Sequence, residues 1–590
     1  MPTQDLPQPE FGSDVVVRLM RAFGIQYAAV NPGATFRGIH DSLVNYGGNR
    51  NPELILCCHE EIAVGVAHGY AKAAGKPMAA IVHNIVGLQH ASMAIFNAFC
   101  DRAPILVLGG TGPMDTTRRR PWIDWIHTAL VQGNQVRDYV KWDDQPASVA
   151  AIPEAFARAH RIAVTEPKGP VYLCFDAALQ EERLQRPVPM VDPAKFLPGS
   201  SPQADPKALE EAARLLCEAE FPVILTESLS PSPSALAAVR RLAELLAAPV
   251  LDIYDGHRGR AGFSSTHPLD LSGARREIIR RADVILALDV QDYLGTLGEV
   301  DKTTREVKPI GEHPAKIVAI SLNDYAFRSW AHTALSLFPL DLPINADTAL
   351  ALPSLAALVE DRLKKDPRAA VRQQRVAELR SRHESLRDGW RKAVETQRLE
   401  RPVAYPVLAA AVWEAIKNED WVLTNGHARG WARQLWDWAP ERTMGGSGGA
   451  GLGYGLPASL GVALALKGRK LCLDLQPDGD SLFVTSSLYT AAHHKLPLLI
   501  VMCNNRSYYN DEEHQEVVAK ARGRSVGNKV IGIRIEDPAP DFAKIAQGFG
   551  VYAEGPIEEP EELGPALARA LKVVKQDGLP ALVDVVTQLA

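Results

Sequence analysis

Short apolar runs alternate with longer amphipathic stretches along most of the chain. The runs have the length of buried strands, and the stretches between them have the length and spacing of helices. Strands that alternate with helices form parallel sheets covered by helices on both faces. The N-terminal part therefore predicts an α/β domain with a doubly wound parallel sheet. Its predicted strands are Ala28–Val30, Leu54–Cys58, Ala79–Val82, Ile105–Leu108 and Val171–Phe175.

The same alternation recurs twice further along the chain. Residues 186–206 are rich in proline and serine, and residues from about 341 to 405 are charged with a helical pattern, so both interrupt the α/β alternation. We therefore predict three doubly wound parallel-sheet domains, at 1–190, 205–345 and 401–590, with a helical connector at 346–400. The further strands are Pro222–Leu225, Val250–Ile253, Val284–Leu288 and Lys316–Ser321 in the middle domain, and Leu471–Gln476, Leu496–Cys503 and Ala581–Val586 in the third.

Composition narrows the class of protein. Of the 590 residues, 46% are hydrophobic and 23% are charged, and the formal net charge is −6. This balance is typical of a globular protein in water and does not favour nucleic-acid binding. The seven cysteines lie mostly in apolar runs without metal-binding spacing, as in a reducing compartment. Since the N-terminus lacks a basic, apolar leader and no run could span a bilayer, we expect a cytoplasmic protein without membrane contact.

Two polar residues follow neighbouring predicted strands of the third domain. Asp478 comes after Leu471–Gln476, and Asn505 comes 27 residues later, after Leu496–Cys503. The segment Ser481–Lys495 between the strands predicts one helix. A right-handed crossover makes the two strands parallel, so both residues lie past carboxyl ends, where open α/β sheets bind ligands.

These residue types are suited to magnesium and diphosphate. The Asp478 carboxylate, the Asn505 amide oxygen and the backbone carbonyl of Ser507 would give Mg²⁺ three oxygen ligands. The remaining positions of the octahedron would be left for diphosphate oxygens and water. Gly479 gives the loop the backbone freedom to bring N–H groups against the diphosphate.

This stretch resembles the cofactor motif of thiamine diphosphate-dependent enzymes, in which Gly-Asp-Gly is followed some 27 residues later by asparagine. Pro477 stands in place of the first glycine, which changes the backbone freedom of the loop. The resemblance implies thiamine diphosphate and Mg²⁺ as cofactors. It also implies Asp478, Asn505 and Ser507 as metal ligands, with Gly479 and Asp480 in the cofactor site.

A carboxylate of the first domain is a further candidate for the cofactor site. The strand Leu54–Cys58 leads into a helix rich in small residues that opens with Glu60 and Glu61. In the resembling family such a helix carries an essential glutamate, and Glu60 matches its position. That carboxyl is expected to hydrogen-bond to pyrimidine N1′ and stabilise the imino tautomer that takes the C2 proton. From the residues alone, a first-turn carboxylate stabilised by the helix dipole is the alternative.

The glycine-rich segment, residues 445–455, precedes the metal motif. It matches the part of the family fold that lies under the cofactor. The resemblance places Leu452 between the two rings of the cofactor and the carbonyl of Ala450 against its 4′-amino group. His427 falls where the family often has a side chain against the diphosphate. A surface or core histidine is the alternative for this position.

The order of the three domains is shared by acetolactate synthase, benzoylformate decarboxylase, pyruvate oxidase, oxalyl-CoA decarboxylase and 2-hydroxyacyl-CoA lyase. His83 matches a proton-relaying histidine of benzoylformate decarboxylase, whereas Ala34 stands where that enzyme has a serine. His90 and His127 are further candidates for the substrate side. The resemblance is specific for the cofactor and much less so for the substrate.

We predict a carbon–carbon bond lyase or carboligase that acts on a 2-oxo acid through a C2 carbanion or enamine, similar to acetolactate synthase. The alternatives are a benzoylformate-type decarboxylase, a 2-hydroxyacyl-CoA lyase with an acyl-CoA substrate, a pyruvate oxidase relative, and a non-catalytic scaffold. FAD is possible, but no sequence fingerprint supports it. The resemblance also implies a homodimer or homotetramer, in which Glu60 of one chain faces Asp478 of another.

Overall fold

Three parallel β-sheets organise the chain, and helices cover their faces. The computed structural model describes residues 6–253, 259–301, 303–311, 315–325, 337–364, 366–426 and 428–589. The predicted α/β class with several parallel-sheet domains is confirmed. In the part of the chain that the structure describes, no helix is both long and apolar enough to cross a membrane.

The first sheet has six strands in the order β2-β1-β3-β4-β6-β5. The strands are β1 (Tyr27–Val30), β2 (Glu53–Leu56), β3 (Met78–Val82), β4 (Ile105–Thr111), β5 (Asp143–Asp144) and β6 (Val171–Asp176). The helices are α1 (Gly12–Ala22), α2 (Arg37–Asp41), α3 (Glu60–Ala74), α4 (Ile85–Cys100), α5 (Asp124–His127), α6 (Ile152–Val164) and α7 (Ala177–Gln180).

The middle sheet has five strands in the order β13-β12-β9-β7-β8, with a separate antiparallel pair β10-β11. The strands are β7 (Pro222–Thr226), β8 (Val250–Asp252), β9 (Val284–Leu288), β10 (Gly298–Val300), β11 (Val307–Pro309), β12 (Lys316–Ser321) and β13 (Leu342–Asn345). The helices are α8 (Pro206–Glu218), α9 (Pro233–Leu246), α10 (Arg275–Arg281), α11 (Tyr293–Leu297), α12 (Thr348–Leu363) and α13 (Ala369–Thr396). Helix α12 lies within the predicted connector but buries Leu352, Leu355 and Val359 in the core of the middle sheet.

The third sheet has five strands in the order β14-β15-β16-β18-β17. The strands are β14 (Trp421–Asn425), β15 (Leu471–Pro477), β16 (Leu498–Asn504), β17 (Tyr552–Ile557) and β18 (Ala581–Val586). The helices are α14 (Tyr405–Ile416), α15 (Trp431–Leu435), α16 (Gly455–Leu466), α17 (Asp478–Phe483), α18 (Ser487–His493), α19 (Tyr509–Ala521), α20 (Phe542–Gly548) and α21 (Pro560–Lys572).

The crossover from β15 to β16 has the predicted parallel geometry, but its helix is divided. The strands pair in parallel with Pro477 opposite Cys503. The prediction of one helix over Ser481–Lys495 is wrong, since α17 ends at Phe483 and α18 starts at Ser487. The Thr485 hydroxyl donates to the Ser481 carbonyl at 2.8 Å, and such side-chain bonds compete with regular helix geometry.

Helices α3 and α16 pack against each other within one chain and share one apolar core that extends into the first and third sheets. Glycines permit the close contact. A Cβ added to Gly69 would lie 1.9 Å from the Ala458 carbonyl oxygen, and one added to Gly461 would lie 2.0 Å from that of Val66. The small residues of α3 therefore bring its N-terminal turn next to the segment that precedes α16.

Candidate active site

Asp478 lies at the start of α17, directly after β15, and its carboxyl is 3% exposed. Its Oδ1 accepts from the Gly479 N–H at 2.8 Å, whereas Oδ2 is buried and has no hydrogen-bond partner among the described residues. Burial raises the pKa of this carboxyl to about 6, and backbone N–H groups that include those of Arg506 and Ser507 oppose the rise. An unpaired buried carboxylate oxygen is costly unless a cation or a donor binds it.

The loop after β16 lies beside Asp478, as the parallel register requires. Asn505 Oδ1 accepts from the Ser507 N–H at 3.0 Å, so the side chain is turned into its own loop. A carbonyl oxygen has two lone pairs, and the second can still bind a cation. The Ser507 hydroxyl donates to Glu512 at 2.6 Å. The structure thus brings together the three residues predicted as magnesium ligands, and their oxygen chemistry fits that ion.

Gly479 and Asp480 have structural tasks that the sequence pattern did not reveal. A Cβ on Gly479 would lie 2.5 Å from the Tyr508 ring, so close packing requires glycine here. The Asp480 carboxylate accepts from the N–H groups of Gly453 at 2.8 Å and Gly455 at 3.0 Å, and from the Gln476 amide at 2.7 Å. Asp480 therefore holds the glycine-rich segment against the start of α17, next to Asp478.

The glycine-rich segment presents Ala450 and Leu452 at the surface. Ala450 has φ +54°, and Leu452 is 40% exposed. The segment is attached to α4, because Asn97 donates to the Gly451 carbonyl at 3.2 Å and accepts from the Gly451 N–H at 3.1 Å. Leu452 is thereby held in a fixed loop with its side chain partly free to contact a ligand.

Glu60 and Glu61 face different surroundings at the start of α3. Glu60 is 3% exposed, and its Oε2 lies 3.3 Å from His90 Nδ1. Glu61 lies against Gly453, since a Cβ there would be 2.6 Å from Glu61 Oε1. Burial, followed by the charge of Asp480, raises the pKa of Glu61 to about 7.

His83 lies between β3 and α4, and both His83 and Glu60 lie against Gly87. The Thr35 hydroxyl is 2.8 Å from His83 Nδ1, and the His127 ring stands edge-on to His83 with centroids 5.7 Å apart. Burial and the neighbouring His127 lower the pKa of His83, against the attraction of Glu60. Ala34 is next to Thr35, and the hydroxyl that contacts His83 comes from Thr35.

A buried ionic cluster joins α3 to the glycine-rich segment and was not found in the sequence. Lys72 pairs with Asp101 at 2.6 Å, and donates to the Gly446 carbonyl at 2.7 Å and the Tyr454 hydroxyl at 3.0 Å. Burial lowers the pKa of Lys72 to about 8, against the attraction of Asp101. Burial disfavours the charge of Asp101, but Lys72 and His68 hold its pKa well below the usual range. His68 and Lys72 lie one turn apart on α3, but no local pattern connects them with Asp101 or with the glycine-rich segment.

A cavity of about 300 Å³ lies at the carboxyl ends of β7 and β9, and its lining includes Lys72, Arg102, Ser228 and Asp289. Arg102 and Asp289 approach each other to 3.6 Å within this lining. Nucleotides bind at such strand ends in doubly wound folds, so a flavin-dependent oxidase would hold its flavin here. His427, the remaining predicted cofactor contact, lies outside the described residues.

Two family models match the chain. The model described as "Thiamine pyrophosphate enzyme, N-terminal TPP binding domain" matches residues 11–135, and the corresponding C-terminal TPP binding domain matches residues 424–585. Thiamine pyrophosphate (TPP) is another name for thiamine diphosphate. The first match covers β1 to β4 of the first sheet, and the second covers nearly all of the third sheet.

Similar proteins cover nearly the whole chain. The probable acetolactate synthase large subunit of Methanocaldococcus jannaschii is 24% identical over 98% of this chain and 91% of the relative. The acetolactate synthase isozyme 3 large subunit of Escherichia coli is 24% identical over 97% and 94%.

Solved structures share the fold. A thiamine diphosphate-dependent 4-hydroxybenzoylformate decarboxylase from Rhodococcus jostii is 19% identical with a TM-score of 0.73, covering 98% of this chain and 99% of that one. Benzoylformate decarboxylase from Polynucleobacter necessarius is 18% identical with a TM-score of 0.74, covering 99% of both chains.

Proposed function

Since the chain belongs to the thiamine diphosphate-dependent enzymes, we propose that it is a magnesium-dependent carbon–carbon bond lyase or carboligase that acts on a 2-oxo acid, similar to acetolactate synthase. The observation that carries the metal assignment is the buried, unpaired Oδ2 of Asp478 at the carboxyl end of β15. Relatives with acetolactate synthase names support the reaction class.

Within this proposal each residue has a defined task. Asp478, Asn505 and the Ser507 carbonyl would hold Mg²⁺, which binds the diphosphate. Gly479 and Asp480 would shape the diphosphate loop, Ala450 and Leu452 would contact the two rings, and His427 would lie against the diphosphate. Glu60 would hold a proton at pyrimidine N1′, and His83 would move protons on the substrate side. When bound, thiamine diphosphate supplies a nucleophilic carbon and an electron sink for decarboxylation.

The metal assignment predicts that Asp478→Ala abolishes magnesium-dependent binding of thiamine diphosphate, because it removes the only charged ligand of the proposed set. Calorimetric titration with the cofactor, with and without Mg²⁺, measures this directly. Asp511→Ala is the matched control, since Asp511 is an exposed carboxylate on α19. Full activity after exhaustive chelation and gel filtration would contradict the proposal.

The reaction is tested by supplying pyruvate and following carbon dioxide together with the organic product. Ligation releases half as much carbon dioxide as pyruvate consumed, whereas simple decarboxylation releases an equal amount. We expect the ligation ratio. Turnover of 2-hydroxyacyl-CoA esters but not of 2-oxo acids would assign the chain to the lyase alternative.

A benzoylformate-type decarboxylase is the second candidate, and the position of His83 favours it. The half-buried ring lies beside Thr35 and within reach of the Glu60 charge, and histidine is a common proton-transfer group in catalysis. Aromatic 2-oxo acids should then be decarboxylated faster than pyruvate. A purified protein with the visible absorption of flavin would instead point to an oxidase.

We also propose that the working unit is a homodimer or homotetramer. The family resemblance implies sites built from two chains. The exposed Leu452 and Phe483 close to the metal loop support a cover supplied by another chain. Within one chain α3 already packs against α16, so a shared site requires this pairing to be exchanged between two copies.

A further inference from the structure

We propose that His90 is a positioning residue that shares a proton with Glu60 and exchanges that proton with solvent. This inference rests on the role proposed for Glu60. His90 Nδ1 lies 3.3 Å from Glu60 Oε2. The His90 side chain is 51% exposed and that of Glu60 is 4% exposed, so the imidazole connects a buried carboxyl with water.

The surrounding residues hold this pair in place. The His59 ring stacks on the His90 ring, with centroids 4.8 Å apart and planes 24° from parallel. His59 is fixed in turn, because its Nδ1 caps α3 by accepting from the Glu61 N–H at 3.2 Å. On the opposite side, Gly87 lets the carboxyl lie against α4, since a Cβ would be 2.6 Å from Glu60 Oε1.

Sharing a proton lowers the cost of changing the state of a buried carboxyl. An isolated carboxylate in a site of low dielectric is expensive, whereas a neutral carboxyl–imidazole pair and the corresponding ion pair have the same net charge. In the proposed exchange, the proton leaves the Glu60 carboxyl for His90 Nδ1, which gives the ion pair. The proton on Nε2 then passes to water, and the Glu60 carboxylate that remains accepts a hydrogen bond from Nδ1–H. Reprotonation of Glu60 from solvent reverses both transfers.

His59 does not compete for this proton. Burial and the adjacent His90 lower the pKa of His59, against the attraction of Glu60. Its Nδ1 is already engaged as the helix cap. Glu61, the other nearby carboxyl, faces Gly453 and Asp480 instead. The proton route therefore runs through His90.

The contact itself is tested in the cofactor-free protein by NMR of the histidine ring nitrogens. We expect the His90 Nδ1 resonance to shift in Glu60→Gln and to stay unchanged in Glu61→Gln, which removes a neighbouring carboxylate of different orientation. Equal shifts in both variants, or no shift in Glu60→Gln, would overturn the proposed pair.

The proton exchange is tested with bound thiamine diphosphate, by the rate at which its C2 proton exchanges with deuterated solvent. We expect His90→Ala to slow this exchange by about 10²-fold, the lower range for loss of a positioned proton-transfer group. Added imidazole should restore the rate by entering the half-exposed space. His90→Gln, which fills that space, should be slow without being restored, and it provides a second variant if His90→Ala folds poorly.

His514→Ala is the matched control, because His514 is an exposed imidazole paired only loosely with Asp511. It should leave both the rate and the imidazole response unchanged. A normal rate in His90→Ala beside a slow Glu60→Gln would overturn the role of His90. A slow rate in His90→Ala that imidazole does not restore would assign His90 a packing role alone and overturn the proposed proton exchange. A normal rate in Glu60→Gln would instead overturn the proposed function of Glu60.

Discussion

Two adjacent glutamates at the start of α3, Glu60 and Glu61, have different surroundings. Glu60 lies among His90, Gly87 and the first sheet, whereas Glu61 points toward Gly453 and Asp480. One residue along a helix rotates a side chain by about 100°, which is enough to place the two groups on different faces. Substitution of Glu60 and of Glu61 by glutamine should therefore affect activity differently.

We expect Glu60→Gln to bind thiamine diphosphate nearly normally and to lose about 10²–10⁴ in rate, as for the loss of a proton-transfer group. Glu61→Gln should retain most of the activity. Steady-state kinetics and cofactor titration of both variants check this. A severe defect in Glu61→Gln with a normal Glu60→Gln would show that the assignment is off by one residue.

At the scale of elements, the contact between α3 and α16 depends on the absence of side chains at its closest points. Gly69→Ala would place a methyl group 1.9 Å from the Ala458 carbonyl oxygen. We expect the free energy of unfolding to fall by about 1–3 kcal/mol, as for overpacking, and the urea midpoint to fall with it. Gly564→Ala in α21 is the control, because a Cβ there meets no atom within 4 Å. Equal midpoints for Gly69→Ala and wild type would contradict the close crossing.

The same interface makes stability depend on pH through Glu61. Its pKa is about 7 in the folded chain and 4.5 ordinarily, so the folded state holds more protons than the unfolded state between these values. Stability of the cofactor-free protein should therefore fall as pH rises from about 4.5 to 7. Glu61→Gln should lose this component, while Glu384→Gln on α13 should keep the wild-type slope. Urea midpoints across this range provide the measurement, and identical slopes for Glu61→Gln and wild type would refute the assignment.

For the whole molecule, exposed apolar side chains argue for association. Trp122, Trp125 and Leu130 are 71%, 65% and 76% exposed, on the segment that carries His127. Large apolar side chains exposed close together in sequence are candidates for an interaction surface. We expect sedimentation to show at least a dimer, whose association thiamine diphosphate strengthens by mass action.

Mixing tests how the site is divided between chains. We expect inactive Glu60→Gln and inactive Asp478→Ala chains to restore part of the activity when mixed, since a hybrid dimer with exchanged α3–α16 pairing contains one intact site. Each variant incubated alone is the control. An active monomer would contradict the dimer, and absence of rescue despite demonstrated subunit exchange would assign each site to a single chain.

The sequence by itself determined the features that depend on neighbouring residues. Apolar runs marked most strands, and β18 has the predicted bounds. The strands that escaped prediction include the two-residue β5 and the edge strand β17, which contains Gly555 and Pro556. Asp478 and Asn505 were found because each directly follows an apolar strand, and parallel pairing brings such positions to one edge of the sheet.

Only the tertiary structure decided which distant segments meet. The His59–His90 stack, the contact of Thr35 with His83 and the Lys72–Asp101 cluster join separate segments, and no periodicity in the sequence relates them. Helix and strand patterns report on residues a few positions apart, because they arise from backbone geometry. Contacts between segments depend instead on how complete elements pack, and here the glycines of α3 and α16 bring the two halves of the site together.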